Sequence, residues 1–465
     1  MADTIRDMTV GKPSRLILGF ALPLMIGNIF QQTYTLVDTI VVGQVVGVEA
    51  LASLGAAEWP NWMVLGMIVG FTQGFSILIA QRFGARDNEG LKKAVGMSVK
   101  LAAVIAVFML IISQLLARPV LEFLHTPENI LSGSLIFLRI AYLGVPVIMA
   151  YNTLASILRA LGDGKTPLIS MIIASAVNIL LDCLFVMGFQ WGIAGAATAT
   201  LIAQICSCIF CYQVIHRNSY LKMSKKDWEL DFSVIKKLIA LGIPSSFQNG
   251  IIAVGGLVVQ YVINGFGFIF VAGFTATNKL YGLLEIAATS FGFAAATFTG
   301  QNLGAGKIRR IREGMRSGII MAVITSGIIS IIMLVFGRHI LGLFISGTKE
   351  ETTEVIKIAY RYLSIMAALL FILYLLHLYR SALQGMGDTI TPMISGIVEL
   401  CMRVLIILIL PKLIGDWGVY FAEVAAWTGA EFLLMVMYYV RVHRFFVMER
   451  GLANILKENT YDLCK

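Results

Sequence analysis

HRNSYLKMSKKDWELDFS, residues 216–233, is the longest clearly polar stretch of the chain before its C-terminal tail, and it falls at the midpoint. On both sides of it lie continuous apolar blocks. Each is of the order of the roughly 20 residues that a helix needs to cross the hydrocarbon core of a bilayer. The chain has 465 residues, of which 58% are hydrophobic and 14% charged. Its mean hydropathy is +0.83. A soluble domain carries about 25% charged residues, so a buried soluble core fits poorly. A membrane β-barrel would alternate polar and apolar residues in strands of about 10, and these blocks do not alternate. The first block, Leu16 to Val46, is too long for a signal-peptide core and lacks a small-residue cleavage site, so it reads as a retained helix.

The expectation is an all-α integral membrane protein of twelve transmembrane helices, at 14–41, 51–82, 94–117, 130–159, 166–189, 193–215, 234–264, 270–301, 311–336, 354–384, 391–413 and 417–444. The midpoint stretch divides it into an N-lobe (1–216), a linker (217–232), a C-lobe (233–446) and a tail (447–465). One set of loops and helix ends holds Arg6, Lys12, Arg15, Arg86, Lys92, Lys93, Arg159, Lys165, Arg217, Lys222, Lys225, Lys226, Lys307, Arg309, Arg310, Arg312, Arg441, Arg444 and Arg450. The alternate set holds little beyond Arg118, Arg338, Lys349 and Lys412. The basic side is expected to be cytoplasmic. Both termini then lie inside, which requires an even number of spans. The same placement accounts for the net charge of +9 without nucleic acid.

The two halves repeat. Pro23 corresponds to Pro244, and Gln81-Arg82-Phe83-Gly84-Ala85 to Gln301-Asn302-Leu303-Gly304-Ala305. Gly162-Asp163-Gly164-Lys165-Thr166-Pro167 corresponds to Gly387-Asp388-Thr389-Ile390-Thr391-Pro392, and Trp191-Gly192-Ile193 to Trp417-Gly418-Val419. The matches keep their order at a shift of roughly 220 to 226 residues. Six helices per repeat is an even number, so the repeats run parallel about an axis along the membrane normal and enclose a cleft.

Ionisable groups at membrane depth need a reason. In helix 1, Asn28, Gln31, Thr35 and Asp38 recur at spacings of three and four and share a face, with Tyr34 beside it. Asn178 and Asp182 lie one turn apart in helix 5, and Thr200 lies in helix 6. If these helices adjoin, two carboxylates, an amide and a hydroxyl converge, a set suited to a hard cation or to a proton shared between close acids. A satisfied hydrogen-bond network without an ion is the alternative. Glu399 and Arg403, at i and i+4 in helix 11, read as a buried structural ion pair. Gly66, Gly70 and Gly74 read as a packing seam. Arg139, Arg361, Lys279 and Glu285 are expected near helix ends, and the Asp163 and Asp388 loops in structure or gating.

There is no phosphate-binding loop, metalloprotease motif or nucleophile elbow. The reading is therefore not an enzyme and without cofactor, with transport energy drawn from an ion gradient. Of the six cysteines, Cys183, Cys206, Cys208, Cys211 and Cys401 lie in or near apolar runs and Cys464 in the tail. Cys208 and Cys211 lack the second pair of ligands that a metal centre needs.

Together, Asp38-Thr-Ile-Val-Val-Gly43, Gln81 to Ala85, Leu158 to Asp163, Thr166-Pro167, Asn178 to Asp182 and Gln301 to Gly306 carry a resemblance to the multidrug and toxic compound extrusion (MATE) transporters, over about Pro13 to Phe446. The chain looks like a bacterial member. The resemblance implies two pseudo-symmetric six-helix lobes, a location in the cell (inner or plasma) membrane with both termini cytoplasmic, and a monomer. It implies that Asp38, Asn178, Asp182 and Thr200 form the N-lobe cation site, taking H⁺ or Na⁺. It further implies that helix 1 bends near Pro23, and that Gln31, Tyr34 and Asn152 face the N-lobe cavity. Gln248 and Asn249 are the substrate-cavity candidates of helix 7. That helix carries no acid, and the repeat position of Asp38 is Val259, so the chain looks like the branch coupled through the N-lobe (DinF-like). The implied activity is antiport of small amphipathic or cationic compounds against H⁺ or Na⁺, with membrane lipid as the surrounding partner. The alternatives are a flippase for lipids or lipid-linked oligosaccharides and a membrane-embedded enzyme.

Overall fold

The computed structural model describes residues 4–342 and 349–463, which are almost entirely helical, with no strand among them. In chain order the helices are α1 (Pro13–Val45), α2 (Val48–Gly84), α3 (Asn88–Phe123), α4 (Glu128–Leu143), α5 (Val145–Ala160), α6 (Lys165–Asp182), α7 (Gly192–His216), α8 (Phe232–Asn264), α9 (Phe268–Gly304), α10 (Ile308–Gly342), α11 (Lys349–Ala368), α12 (Leu370–Gly385), α13 (Ile390–Ile414), α14 (Trp417–Tyr420) and α15 (Ala422–Leu463). Among the described residues, ten helices are long and apolar enough to cross a membrane. Two bent pairs, α4 with α5 at 48° and α11 with α12 at 51°, bring the number of spans to 12.

The expected fourth and tenth spans are thus broken rods. At the first break Gly144 is followed closely by Pro146, whose ring lacks the donor that a continuous ladder needs. The second break, at Leu369 (φ −109°, ψ 15°), has neither residue. At the C-terminus α15 continues to Leu463, through most of the segment expected to be a tail. The linker lies against α3: Lys93 pairs with Asp231 at 3.5 Å, and the Lys100 ammonium donates to the Trp228 carbonyl. Asp231 caps α8, and the Val234 backbone N–H holds its carboxyl below the usual carboxylate range. The Ser224 backbone N–H does the same for Asp227.

Without a hydrophobic drive between helices in lipid, association rests on close packing, and here glycine supplies it between the lobes. A Cβ on Gly70 would lie 2.5 Å from the Ser245 carbonyl oxygen, and one on Gly74 2.5 Å from the Gly242 Cα. The seam read from the sequence therefore joins α2 to α8 across the lobe boundary. At the basic end of the molecule α2 and α9 cross reciprocally. A Cβ on Gly84 would sit 1.9 Å from the Gln301 carbonyl oxygen, and one on Gly304 1.9 Å from that of Gln81.

The repeat appears again in the hydrogen bonds around this crossing. Gln81 Nε2 donates to the Gly385 carbonyl at 3.0 Å, and Gln301 Nε2 to the Ala160 carbonyl at 2.8 Å. Each glutamine satisfies a helix-terminal carbonyl of the opposite lobe. The loops that follow use Gly162 (φ 80°) and Gly387 (φ 83°) for a left-handed turn that side chains oppose. Asp163 then accepts from the backbone N–H groups of Lys165 and Thr166, both at 3.0 Å, and Asp388 from that of Thr391 at 3.0 Å. These aspartates cap helices.

Gly84→Val and Gly304→Val should each destabilise the fold by about 1–3 kcal/mol or more, because backbone blocks the new side chain. Thermal unfolding in detergent should drop by several degrees for both. Gly327→Ala, where nothing lies within 4 Å, serves as the control and should not drop. An unchanged midpoint in the first two would contradict the crossing.

Candidate functional site

Three N-lobe helices bring the expected cation set together. α1 carries Asp38, α6 carries Asn178 and Asp182, and α7 carries Thr200. Asn178 Nδ2 donates to Thr200 Oγ1 at 3.3 Å, and Thr200 Oγ1 donates to Asp38 Oδ2 at 3.3 Å. The Asp182 carboxyl faces that of Asp38. A π-helical turn, Cys183–Gly188, begins at the residue after Asp182. Such a turn widens the helix and recurs at functional sites.

What distinguishes this cluster is what it lacks. Asp38 Oδ1, Asn178 Oδ1 and both carboxyl oxygens of Asp182 are buried with no hydrogen-bond donor. Buried acceptors without donors are costly, and carboxylates the most so. Among the described residues, the other buried acids are satisfied. Asp163 and Asp388 cap helices, and Glu399 meets the Arg380 guanidinium. Asp182 is 0% exposed and has no such partner. A proton placed between the carboxyls, or a hard cation held by several of these oxygens, supplies the missing positive charge. No group of three or more His, Cys, Asp or Glu positioned for a metal occurs among the described residues. The oxygen set here is of another kind, two carboxylates with an amide and a hydroxyl.

Beside the cluster lies a small, partly open pocket lined by Gln31, Tyr34, Tyr151, Met171, Ala174, Gln204 and Ser207. Gln31 and Tyr34 were expected there. Asn152 is not in the lining, and its amide donates back to the Ile148 carbonyl at 2.9 Å. Gln248 is buried in a chain of amides across the lobe boundary. Gln73 Nε2 donates to Gln384 Oε1 at 2.7 Å, and Gln384 Nε2 to Gln248 Oε1 at 3.1 Å. Asn249 packs its Cβ toward Gly66. On the polar face of α1, Asn28 reaches Ser290 of α9 at 3.4 Å, while Thr35 bonds to its own helix. α1 runs unbroken through Pro23.

One sequence expectation is overturned. Glu399 and Arg403 are not each other's salt-bridge partners. Arg403 pairs with Glu423 of α15 at 2.7 Å, and Glu399 pairs with Arg380 of α12. One turn of separation lets both side chains reach across to other helices, where each closes a charge that would otherwise be stranded. Glu285 meets His377 Nε2 at 3.3 Å, Lys279 meets Glu58 at 3.2 Å across the lobes, and Arg361 lies 5.1 Å from the Trp417 ring. The described cysteines are free thiols, and Cys464 lies outside the described residues.

Sequence reading missed Gln204, whose Oε1 is also buried without a donor. Its signal was its position four residues after Thr200, on the same helix face. It missed Arg380 as well, since a partner 19 residues away on another helix leaves no local spacing.

The MatE family model matches the chain twice, over residues 23–184 and 244–409. The probable multidrug resistance protein YoeA of Bacillus subtilis is 29% identical, over 76% of this chain and 78% of its own. The probable multidrug resistance protein NorM of Thermotoga maritima is 23% identical, over 83% and 82% respectively. Among solved structures, a MOP superfamily transporter from Pyrococcus furiosus superposes with a TM-score of 0.89 at 22% identity. The match covers 94% of this chain and 98% of that one.

Glu423→Gln should strand the Arg403 guanidinium and cost about 3–5 kcal/mol, lowering the unfolding midpoint. Replacing the pair together, Arg403→Met with Glu423→Leu, should recover most of it. A single variant as stable as the parent would refute the pairing.

Proposed function

The chain belongs to the MatE family of transporters, and from that premise we propose that it exports small amphipathic or cationic compounds in exchange for H⁺ or Na⁺ bound at Asp38 and Asp182. The observation that carries this reading is the group of buried oxygens without donors on Asp38, Asn178 and Asp182. Such a group is stable when a cation or proton fills it and unfavourable when it is empty and charged. The surroundings therefore change with occupancy. That change is what an exporter needs to couple an inward ion to an outward substrate.

The basic end is taken as cytoplasmic, with the N-lobe at 1–216, the linker at 217–232 and the C-lobe at 233–446. The cavity holding Gln31 and Tyr34 adjoins the carboxylates, so ion and substrate act on the same few helices. α1 carries Asp38 as well as both of those residues, and Pro23 removes one hydrogen bond from its ladder. Ion binding is read as bending α1 near Pro23 and reshaping the cavity. A hundredfold change in substrate affinity requires about 2.7 kcal/mol of differential binding. Neutralising one buried carboxylate is of that order. Tyr34, Tyr151 and Met171 offer aromatic and thioether faces to a lipophilic cation, and the nearby carboxylates offer its counter-charge. Asn152, Gln248 and Asn249 act at one remove, through packing and the amide chain between the lobes.

The test is transport in proteoliposomes under an imposed Na⁺ or H⁺ gradient, with a fluorescent lipophilic cation as probe. Asp38→Asn and Asp182→Asn should each abolish gradient-driven export while the protein stays folded. The gradient that drives the parent identifies the ion. Full export by either variant would overturn the proposal.

A further inference from the structure

We infer that the N-terminal segment 4–11 is a latch between the lobes that holds the basic end closed and must release for that end to open. The inference rests on the reading of the protein as an alternating-access transporter. The segment has no regular secondary structure beyond a turn, yet Met8 is 0% exposed and belongs to the apolar cluster that α1 shares with the C-lobe helices.

Its bonds divide between the lobes. Toward the N-lobe, Thr4 Oγ1 donates to Asp163 Oδ2 at 2.5 Å and the Arg6 backbone N–H to the Leu161 carbonyl at 3.2 Å. Toward the C-lobe, the Met8 N–H donates to Gln301 Oε1 at 2.8 Å, and the Met8 carbonyl accepts from Asn302 Nδ2 at 3.1 Å. Lys307 Nζ donates to the Thr9 carbonyl at 2.9 Å, and Arg310 Nη2 to the Gly11 carbonyl at 2.9 Å. Most of these partners are strap backbone, so the contact depends on the segment's path more than on its side chains.

Two further contacts tie the strap to moving parts. Gly162 lies so close that a Cβ there would fall 2.2 Å from the Arg6 carbonyl oxygen. The Arg6 guanidinium lies against α1 at Gly19, 2.6 Å from the position a Cβ would take. Gly19 is four residues before Pro23, so its carbonyl has lost its usual ladder donor. The strap thus touches α1 beside its weak point and bridges the α2–α9 crossing. Parting the lobes at this end breaks one set of strap bonds or the other. The latch therefore biases the molecule toward the state closed at the basic end.

Two experiments test it. Labels at Glu89→Cys and Arg309→Cys, in a background without native cysteines, report the distance between the lobes at the basic end. The measurement is made without substrate or ion gradient, so it does not depend on the coupling site. Lys307→Ala with Arg310→Ala removes C-lobe donors to the strap and should raise the ratio of open to closed basic ends by about tenfold. Separately, Val10→Cys linked to Lys307→Cys by a short reducible thiol cross-linker ties the start of α1 at Pro13 to the C-lobe, so it should stop transport whichever strap bonds break, and reduction should restore it. An unchanged distance distribution in the double alanine variant, or full transport with the cross-link in place, would overturn the latch. Failure of the Asp38 variants to lose coupling would leave both readouts intact and count against the coupling site alone.

Discussion

A charged group inside hydrocarbon must find a partner, and the arrangement of this molecule follows from how each one is met. Arg380 takes Glu399, Arg403 takes Glu423, and Lys279 takes Glu58. Asp163 and Asp388 spend their charge on helix N-termini. Against that background the Asp38–Asp182 pair stands apart, with acceptors facing acceptors and no cation supplied by the protein. The repeat sharpens the contrast. The position equivalent to Asp38 in the second half is Val259, packed in the C-lobe core. The N-lobe therefore carries two carboxylates that face each other without a cation, while in the C-lobe Glu399 and Glu423 each face an arginine.

The lobes are joined by close backbone contact and amide bonds, together with apolar packing of α1 against the C-lobe core. Gly70, Gly74, Gly84 and Gly304 admit main chain where any side chain would intrude. Gln81 and Gln301 bond reciprocally to the opposite lobes. Contacts of this kind depend on close geometric fit, and so suit an interface that forms and parts as a unit. Arg159, buried and 4.6 Å from the Phe293 ring of the other lobe, adds to the same end of the molecule.

Much of this was legible in the sequence because the signals were local or periodic. Apolar block length gave the spans, and the matched motifs gave the repeat. One-turn spacing of Asn178 and Asp182 put both on the α6 face that meets Thr200. The parts that escaped reading depend on which helices become neighbours. Glu399 and Arg403 have helical spacing, but α12 and α15 offered each a better partner. Gln248 looked like a cavity residue, and only the approach of α2 and α12 makes it part of an amide chain. The break at Leu369 has no glycine or proline to announce it. The strap has no periodicity at all, and its bonds span nearly 300 residues, from Met8 to Gln301 at |i−j| = 293.

The central claim is that cation and substrate compete through Asp38 and Asp182. The most direct measurement is equilibrium binding of a fluorescent lipophilic cation to the purified protein, across a range of pH and Na⁺ concentration. Affinity should fall as the coupling ion rises, and that dependence should vanish in Asp182→Asn. Affinity independent of both ions in the parent protein would contradict the account.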